Sequence, residues 1–212
     1  MANRVIDDFK GALFGGGARA NQFEVRLTFP DGAQSSSGDR SRFMVKSAAL
    51  PGQAIDEIAV EFKGRTLYVA GDRTFETWTT TVINDESFNV RTDIEKWMNL
   101  INSMRDNVGV LSPSLYMQSI GVIQYSKNGA PIKAYELTNC WPISVGQIDL
   151  SWDTRSEIET FDVTWRYTDF KGGGETARTL SQEIARLEDI AGIIGDASVS
   201  YTHLTLPTNR EV

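Results

Sequence analysis

One cysteine, Cys140, and one histidine, His203, are all that this chain of 212 residues has of the two residue types most used to hold metals and activate nucleophiles. A lone cysteine excludes an intrachain disulfide framework and fits synthesis in a reducing compartment. His203 lies in a terminal segment set aside below, so Cys140 reads as a small buried apolar residue rather than half of a Cys-His pair. There is no paired Cys or His and no Asp-rich calcium loop, so no metal is expected. The runs Gly15-Gly16-Gly17 and Gly172-Gly173-Gly174 lack a following Lys-Ser or Lys-Thr, which makes them hinges rather than phosphate cradles, and no cofactor is expected. No apolar run reaches the ~20 residues of a membrane span, and the N-terminal segment is too acidic and too short in apolar length for a secretory signal, so no membrane partner is implied. A basic excess is missing as well: the formal net charge is −7, with no basic stripe to grip phosphates. Binding to DNA is disfavoured, though its passage is not.

What is present is strand periodicity. Phe23, Val25, Leu27 and Phe29 alternate with Glu24, Arg26 and Thr28, the pattern of a half-buried strand. Arg42 to Lys46, Ile58 to Val69 (interrupted at Lys63-Gly64-Arg65) and Thr74 to Ile83 read as further strands, with a tight turn predicted at Ala70-Gly71-Asp72-Arg73. Thr92-Asp93-Ile94-Glu95 has the Thr-x-x-Glu form of a capping box. Ile94, Trp97, Met98, Ile101 and Met104 follow it on one face of a predicted helix. Strands are then predicted over Leu115–Tyr125, Ile132–Asn139, Ile143–Trp152 and Glu157–Tyr167, with Asn128-Gly129 as a type I′ hairpin turn. Val5, Ile6, Phe9 and Leu13 recur at helical spacing near the start.

Three places invite a function. Ser47 to Asp56 is a loop punctuated by Pro51-Gly52 that either carries the apolar Leu50 outward as a contact or tucks it into its own core. The last predicted strand packs Phe161, Val163, Trp165 and Tyr167 on one side and leaves Thr160, Asp162, Thr164 and Arg166 wet. Asp149, Asp153, Glu157, Glu159 and Asp162 crowd the same region, yet they fall among strand and turn residues as solvated acids do, so no general acid and base pair is expected. Trp97 and Trp165 sit on apolar faces and read as core, while Trp78 and Trp152 have no obvious place.

Several separated motifs occur in an order that resembles the tail tube proteins of contractile-tailed, T4-type bacteriophages. They are Gly17-Ala18-Arg19 leading to Phe23; Ala49-Leu50-Pro51; Val69-Ala70-Gly71-Asp72-Arg73-Thr74-Phe75 with Trp78, Asn84 and Asp85; Trp141-Pro142 through Val145-Gly146; and Leu150, Trp152-Asp153 and Glu157 to Phe161. The resemblance covers about Gly16 to Phe170. It implies a mainly β (α+β) subunit, an antiparallel β-barrel or sandwich with one packed α-helix, six copies joining into rings that stack as a hollow tube inside a contractile sheath. The expected role is structural rather than enzymatic: a virion tail component, made in the host cytoplasm, whose partners are copies of itself, the sheath, tape-measure and baseplate proteins, and DNA only in transit. By the same resemblance Ala49, Leu50, Pro51, Gly52 and Ile55 are subunit-stacking candidates, and the wet face of Thr160, Asp162, Thr164 and Arg166 is a candidate lumen wall. An acidic lumen would let DNA slide without sticking.

On this reading the chain divides into an N-terminal arm (1–20), a tail-tube β domain (21–170), a Gly-linked extension (171–198) with an amphipathic helix predicted over Thr179 to Ile194, and a terminal segment (199–212). The last resembles the translation of a transposase adapter and is treated as a scar. The extension departs from the resemblance, which ends near Phe170. Two other readings fit the same sequence: a tube or tube-initiator protein of a related contractile injection or secretion system, and a monomeric β-sandwich that binds a ligand or sugar through exposed aromatics.

Overall fold

A computed structural model describes residues 2–13, 16–33 and 41–173. The elements in chain order are α1 (Ala2–Ala12), β1 (Phe23–Leu27), a single helical turn α2 (Ser41–Met44), β2 (Val45–Ala48), β3 (Ala54–Phe62), β4 (Arg65–Thr74), β5 (Trp78–Ile83), α3 (Asn89–Ile101), a 3-10 turn at Pro113–Leu115, β6 (Gln118–Tyr125), β7 (Pro131–Val145), β8 (Thr160–Arg166) and β9 (Asp169–Gly173). All strand pairings are antiparallel. Six strands run in the order β1-β6-β7-β8-β5-β2, β9 adds to β7, and β3 with β4 forms a separate hairpin. The end strands β1 and β2 are not paired with each other, so the sheet curls without closing.

The long β7 joins the two halves. Its first part lies between β6 and β9, and from Trp141 to Val145 it pairs with β8 instead. The change falls at Asn139, whose φ of 55° is the left-handed conformation that asparagine tolerates better than most side chains. Pro142 follows next to a register break at Pro142/Ser144, where a residue with no N–H to donate does least harm. β8 and β9 follow the same bend, and the Thr168 N–H between them bonds the Thr138 carbonyl at 3.1 Å.

Alternation drives the core. Phe161, Val163, Trp165 and Tyr167 are buried on β8 and just beyond it, Val25, Leu27 and Phe29 come in from the β1 region, and Ile94 and Trp97 come from α3. The Trp97 ring lies 5.6 Å from that of Trp165 and 5.9 Å from that of Phe29. Each buried indole N–H has an acceptor: Trp97 bonds the Tyr116 carbonyl at 2.7 Å, Trp165 the Thr80 hydroxyl at 2.9 Å, and Trp78 the Ala49 carbonyl at 2.6 Å. Trp78, unplaced by the sequence, is thus core with a polar tip.

Several local expectations change. Residues 42–46 open as the helical turn α2 before β2 begins at Val45. Residues 70–73 lie inside β4 and form no turn. α3 starts at Asn89, where the Asp85 carboxylate accepts the Asn89 N–H at 3.0 Å and Phe88 takes φ 52°. Thr92 is already inside the helix, its N–H given to the Phe88 carbonyl, so no capping box forms. At the β6–β7 hairpin Gly129 has φ 78° and Asn128 does not have a positive φ, and the Gly129 N–H closes on the Ser126 carbonyl at 2.9 Å. That is a type I turn ending in a left-handed glycine rather than a type I′ turn. The two strands expected over Ile132–Asn139 and Ile143–Trp152 are one strand ending at Val145. Residues 171–173 continue β9, which carries the body past Phe170 and replaces a hinge with a strand at Gly172 and Gly173. The helix predicted over Thr179 to Ile194 and the terminal segment lie outside the described residues.

Candidate assembly surface

Among the described residues, the hairpin of β3 and β4 carries exposed apolar side chains along its whole length: Ile55, Ile58, Val60, Phe62, Leu67, Tyr68 and Val69. Lys63 (φ 48°) and Gly64 (φ 76°) supply the two positive φ values of a tight I′ turn. The register pairs Ile58 with Val69, Val60 with Leu67 and Phe62 with Arg65, so these six share one face. Glu57, Ala59, Glu61, Thr66, Tyr68 and Ala70 share the other. Every residue of β3 is exposed, and in β4 only Gly71 is less than fully so. Gly71 stands opposite the register shift at Ile55/Glu57, where an added Cβ would lie 2.9 Å from the Asp56 carbonyl oxygen. The Gly-Asp pair that spells a turn locally serves here as close backbone approach. A two-stranded ribbon alone is marginal in water, and this one presents Phe62 at 68% and Leu67 at 63% exposure.

The predicted stacking residues lie at the root of that hairpin. The loop carbonyls of Ala49 and Gly52 are held by the Trp78 indole and by the Tyr167 hydroxyl at 3.3 Å, and Arg73 bonds Gln53 at 2.8 Å. Leu50 is exposed beside Pro51, and Ile55 stands exposed as the second residue of β3. The backbone is thus fixed to the core while apolar side chains face out.

On β8, Thr160, Asp162, Thr164 and Arg166 occupy the side away from the buried Phe161, Val163 and Trp165. Cross-strand partners extend that side with Ser144 and Thr79 opposite Thr164, Thr81 opposite Asp162, and Ser47 opposite Thr81. The Thr81 hydroxyl donates to Asp162 at 2.7 Å. The result is a surface with short hydroxyl side chains at its centre, one carboxylate and one guanidinium, bordered by Ile83 opposite Thr160 and Trp141 opposite Arg166.

Sequence reasoning missed the segment between β7 and β8. Leu150, Trp152 and Ile158 project from it, with Trp152 fully exposed. The period-2 spacing of Ile148, Leu150 and Trp152 imitates a strand, which concealed a loop. Smaller exposed apolar groups are Met104, Val108, Leu111 and Leu115 after α3, and Ile6, Phe9 and Leu13 along one side of the N-terminal helix.

Among the described residues no three His, Cys, Asp or Glu side chains gather to hold a metal. Glu159 accepts from Asn84 at 2.9 Å and Asp162 from Thr81, as structural carboxylates do. Cys140 is buried, and burial pushes its thiol up to about 12, away from the thiolate a nucleophile needs. Trp152 stands fully exposed on its loop rather than in an enclosed cleft of the kind that buries most of a bound ligand.

Residues 18–172 match the family model described as phage tail tube protein. The chain is 35% identical over 161 residues to the tail tube protein gp19 of Enterobacteria phage T4, a match covering 75% of this chain and 94% of that protein. It is 34% identical over 161 residues, with the same coverage, to the tail tube protein gp19 of Enterobacteria phage T6. Among solved structures, a chain of the 6-fold symmetrised baseplate of the anti-feeding prophage is similar with a TM-score of 0.56 at 11% identity, covering 74% of this chain and 96% of that one. At that identity the likeness speaks for the fold alone.

Proposed function

Because the chain belongs to the phage tail tube protein family, a structural family, we propose that it assembles with copies of itself into stacked hexameric rings whose channel conducts DNA inside a contractile sheath. The observation that carries this reading is the β3–β4 hairpin, an apolar-faced ribbon that its own body leaves bare. Covering it with a neighbour gains roughly 1 kcal/mol for each half-exposed apolar side chain. The open edges of β1 and β2 point the same way, since unpaired strand edges are aggregation sites unless a neighbour takes them. Six-fold closure is supported by the family resemblance and by the 6-fold assembly in which a chain of the same fold occurs.

The hydroxyl wall around Thr160, Asp162, Thr164 and Arg166 suits the lumen, where DNA must pass without being held. Asp162 and Arg166 offset each other in formal charge, so this strand offers DNA a polar surface without a net positive charge to hold phosphates. The loop Ala49 to Gly52 and Ile55 at the hairpin root suit ring-to-ring contact. Catalysis forms no part of this function. Sheath, tape-measure and baseplate proteins are the further partners. No helix among the described residues is long and apolar enough to cross a membrane.

Electron microscopy and sedimentation of the purified full chain test the reading. Rings or tubes of uniform diameter are expected, and a persistent monomer near 23.5 kDa at high concentration overturns it. A role of the C-terminal extension in assembly is tested by truncation after Gly173, which spares β9; normal tubes from the truncated chain would remove that role.

A further inference from the structure

Opposite charges flank two of the exposed apolar features. The hairpin tip places Lys63 and Arg65 beside Phe62 and Leu67, all exposed, with the Lys63 ammonium 5.3 Å from the Phe62 ring centroid, while the one nearby acid, Glu61, lies on the opposite face of the ribbon. The β7–β8 segment places Asp149, Asp153 and Glu157 around Leu150 and Trp152, again all exposed, with Arg155 the one basic side chain there. Among the described residues none of these charges enters an ion pair within the chain. A further exposed apolar segment, after α3, carries one Arg105 and one Asp106 and offers no net sign.

We infer that the basic tip of the β3–β4 hairpin in one subunit docks on the acidic, Trp152-bearing segment of the next, Lys63 and Arg65 against Asp149 and Asp153, with Phe62 and Leu67 covering Leu150 and Trp152. The inference rests on the self-assembly reading and deepens it by naming both halves of one contact. The occupant is a second copy of this chain because the complementary surface is on the chain itself. A two-fold contact would bring tip against tip, four cations around one apolar centre, and like charges at a contact oppose binding. Tip against acidic segment is heterologous instead, and a heterologous contact repeats from copy to copy as a ring or an open-ended tube. An exposed indole face next to carboxylates also suits an incoming Lys or Arg, which gains from the ring and from the acids together.

Charge reversal with rescue tests the pairing in the full chain. Lys63→Glu with Arg65→Glu, and separately Asp149→Lys with Asp153→Lys, each raise the critical concentration for assembly by about tenfold or more. Combining all four substitutions restores assembly toward that of the unaltered chain, which also shows that the substituted subunits fold. If the unaltered chain assembles and either pair of substitutions leaves the critical concentration unchanged, or the combination gives no rescue, the contact is refuted while self-assembly stands. If the unaltered chain never assembles, the proposed function fails and this contact with it.

Discussion

Replacing Val60 and Leu67 together by aspartate separates folding from assembly. The two side chains are direct cross-strand partners on the apolar face of the hairpin, 46% and 63% exposed. In the isolated subunit the change removes one apolar cross-strand pair, worth ~0.2–1 kcal/mol, and adds a like-charge repulsion of similar size. Since that face is not packed on the body, global unfolding should shift by no more than these two contributions together, about 2 kcal/mol at most. In the assembled state the same two carboxylates are forced into an apolar contact, where an uncompensated charge costs several kcal/mol, roughly a thousandfold or more in affinity. Urea unfolding followed by tryptophan fluorescence measures the first quantity, and sedimentation velocity with negative-stain images measures the second. The expected pattern is a near-unchanged midpoint together with loss of rings and tubes. A drop of more than about 2 kcal/mol in the monomer would mean the hairpin is part of the folded core, contrary to its exposure. Tubes formed at the usual concentration would mean that this face is not an interface, and the reasoning would be wrong.

Three further outcomes are expected. Thr80→Val keeps shape but takes the only acceptor from the buried Trp165 N–H, so it should cost ~1–3 kcal/mol in denaturant titration; in a double-mutant cycle with Trp165→Phe the costs should be clearly less than additive. Gly71→Val puts a side chain against the Asp56 carbonyl and distorts the hairpin at its bulge; assembly should weaken while the unfolding midpoint of the body moves by ~0.5 kcal/mol or less. Burial raises the Cys140 thiol from 9.0 to about 12, so its contribution to stability is whole below pH 9 and is lost as pH rises from 9 through about 12. At pH 8.5 this leaves a native thiolate fraction roughly a thousandfold below that of the unfolded chain, so a thiol reagent should modify the native chain far more slowly, and equal rates would place Cys140 outside the core.

What the sequence disclosed depended on whether a pattern had its partner inside the same chain. The alternation of Phe161, Val163 and Trp165 gave β8 and its buried side, and the spacing of Ile94 and Trp97 gave the packed face of α3, because both meet the core of this subunit. The period-2 run Ile148, Leu150 and Trp152 is as regular but has no strand beside it, so it is a loop. Periodicity reports that a face seeks cover and says nothing of which molecule provides it. Local turn chemistry misled at Gly71 for a related reason: glycine followed by aspartate satisfies a turn, while the actual need was for a missing Cβ opposite a bulge on β3. The helix start moved upstream because Asp85 reaches the Asn89 N–H from before the Thr-x-x-Glu pattern begins. Among the candidate site residues, the loop Ala49 to Gly52 and the wet side of β8 were both visible in the sequence. The hydrogen bonds from Trp78 and Tyr167 that fix that loop were not, since they join positions far apart along the chain.

If the chain self-assembles as proposed, a subunit that leaves so much apolar surface bare must remain dispersed until it meets its neighbour correctly. The net charge of −7 supplies a repulsion between copies that acts in every orientation. At physiological salt this repulsion is felt only within a Debye length of about 8 Å, so it governs the last approach rather than distant encounters. Random collisions that press apolar faces together also press like-charged surfaces together and are penalised. An approach that brings Lys63 and Arg65 to Asp149 and Asp153 reverses the sign locally and is spared the penalty. If copies assemble through the proposed contact, net charge and local complementarity act as one filter: the first weakens contacts in general, and the second exempts a single heterologous geometry, which is the kind that propagates into a tube.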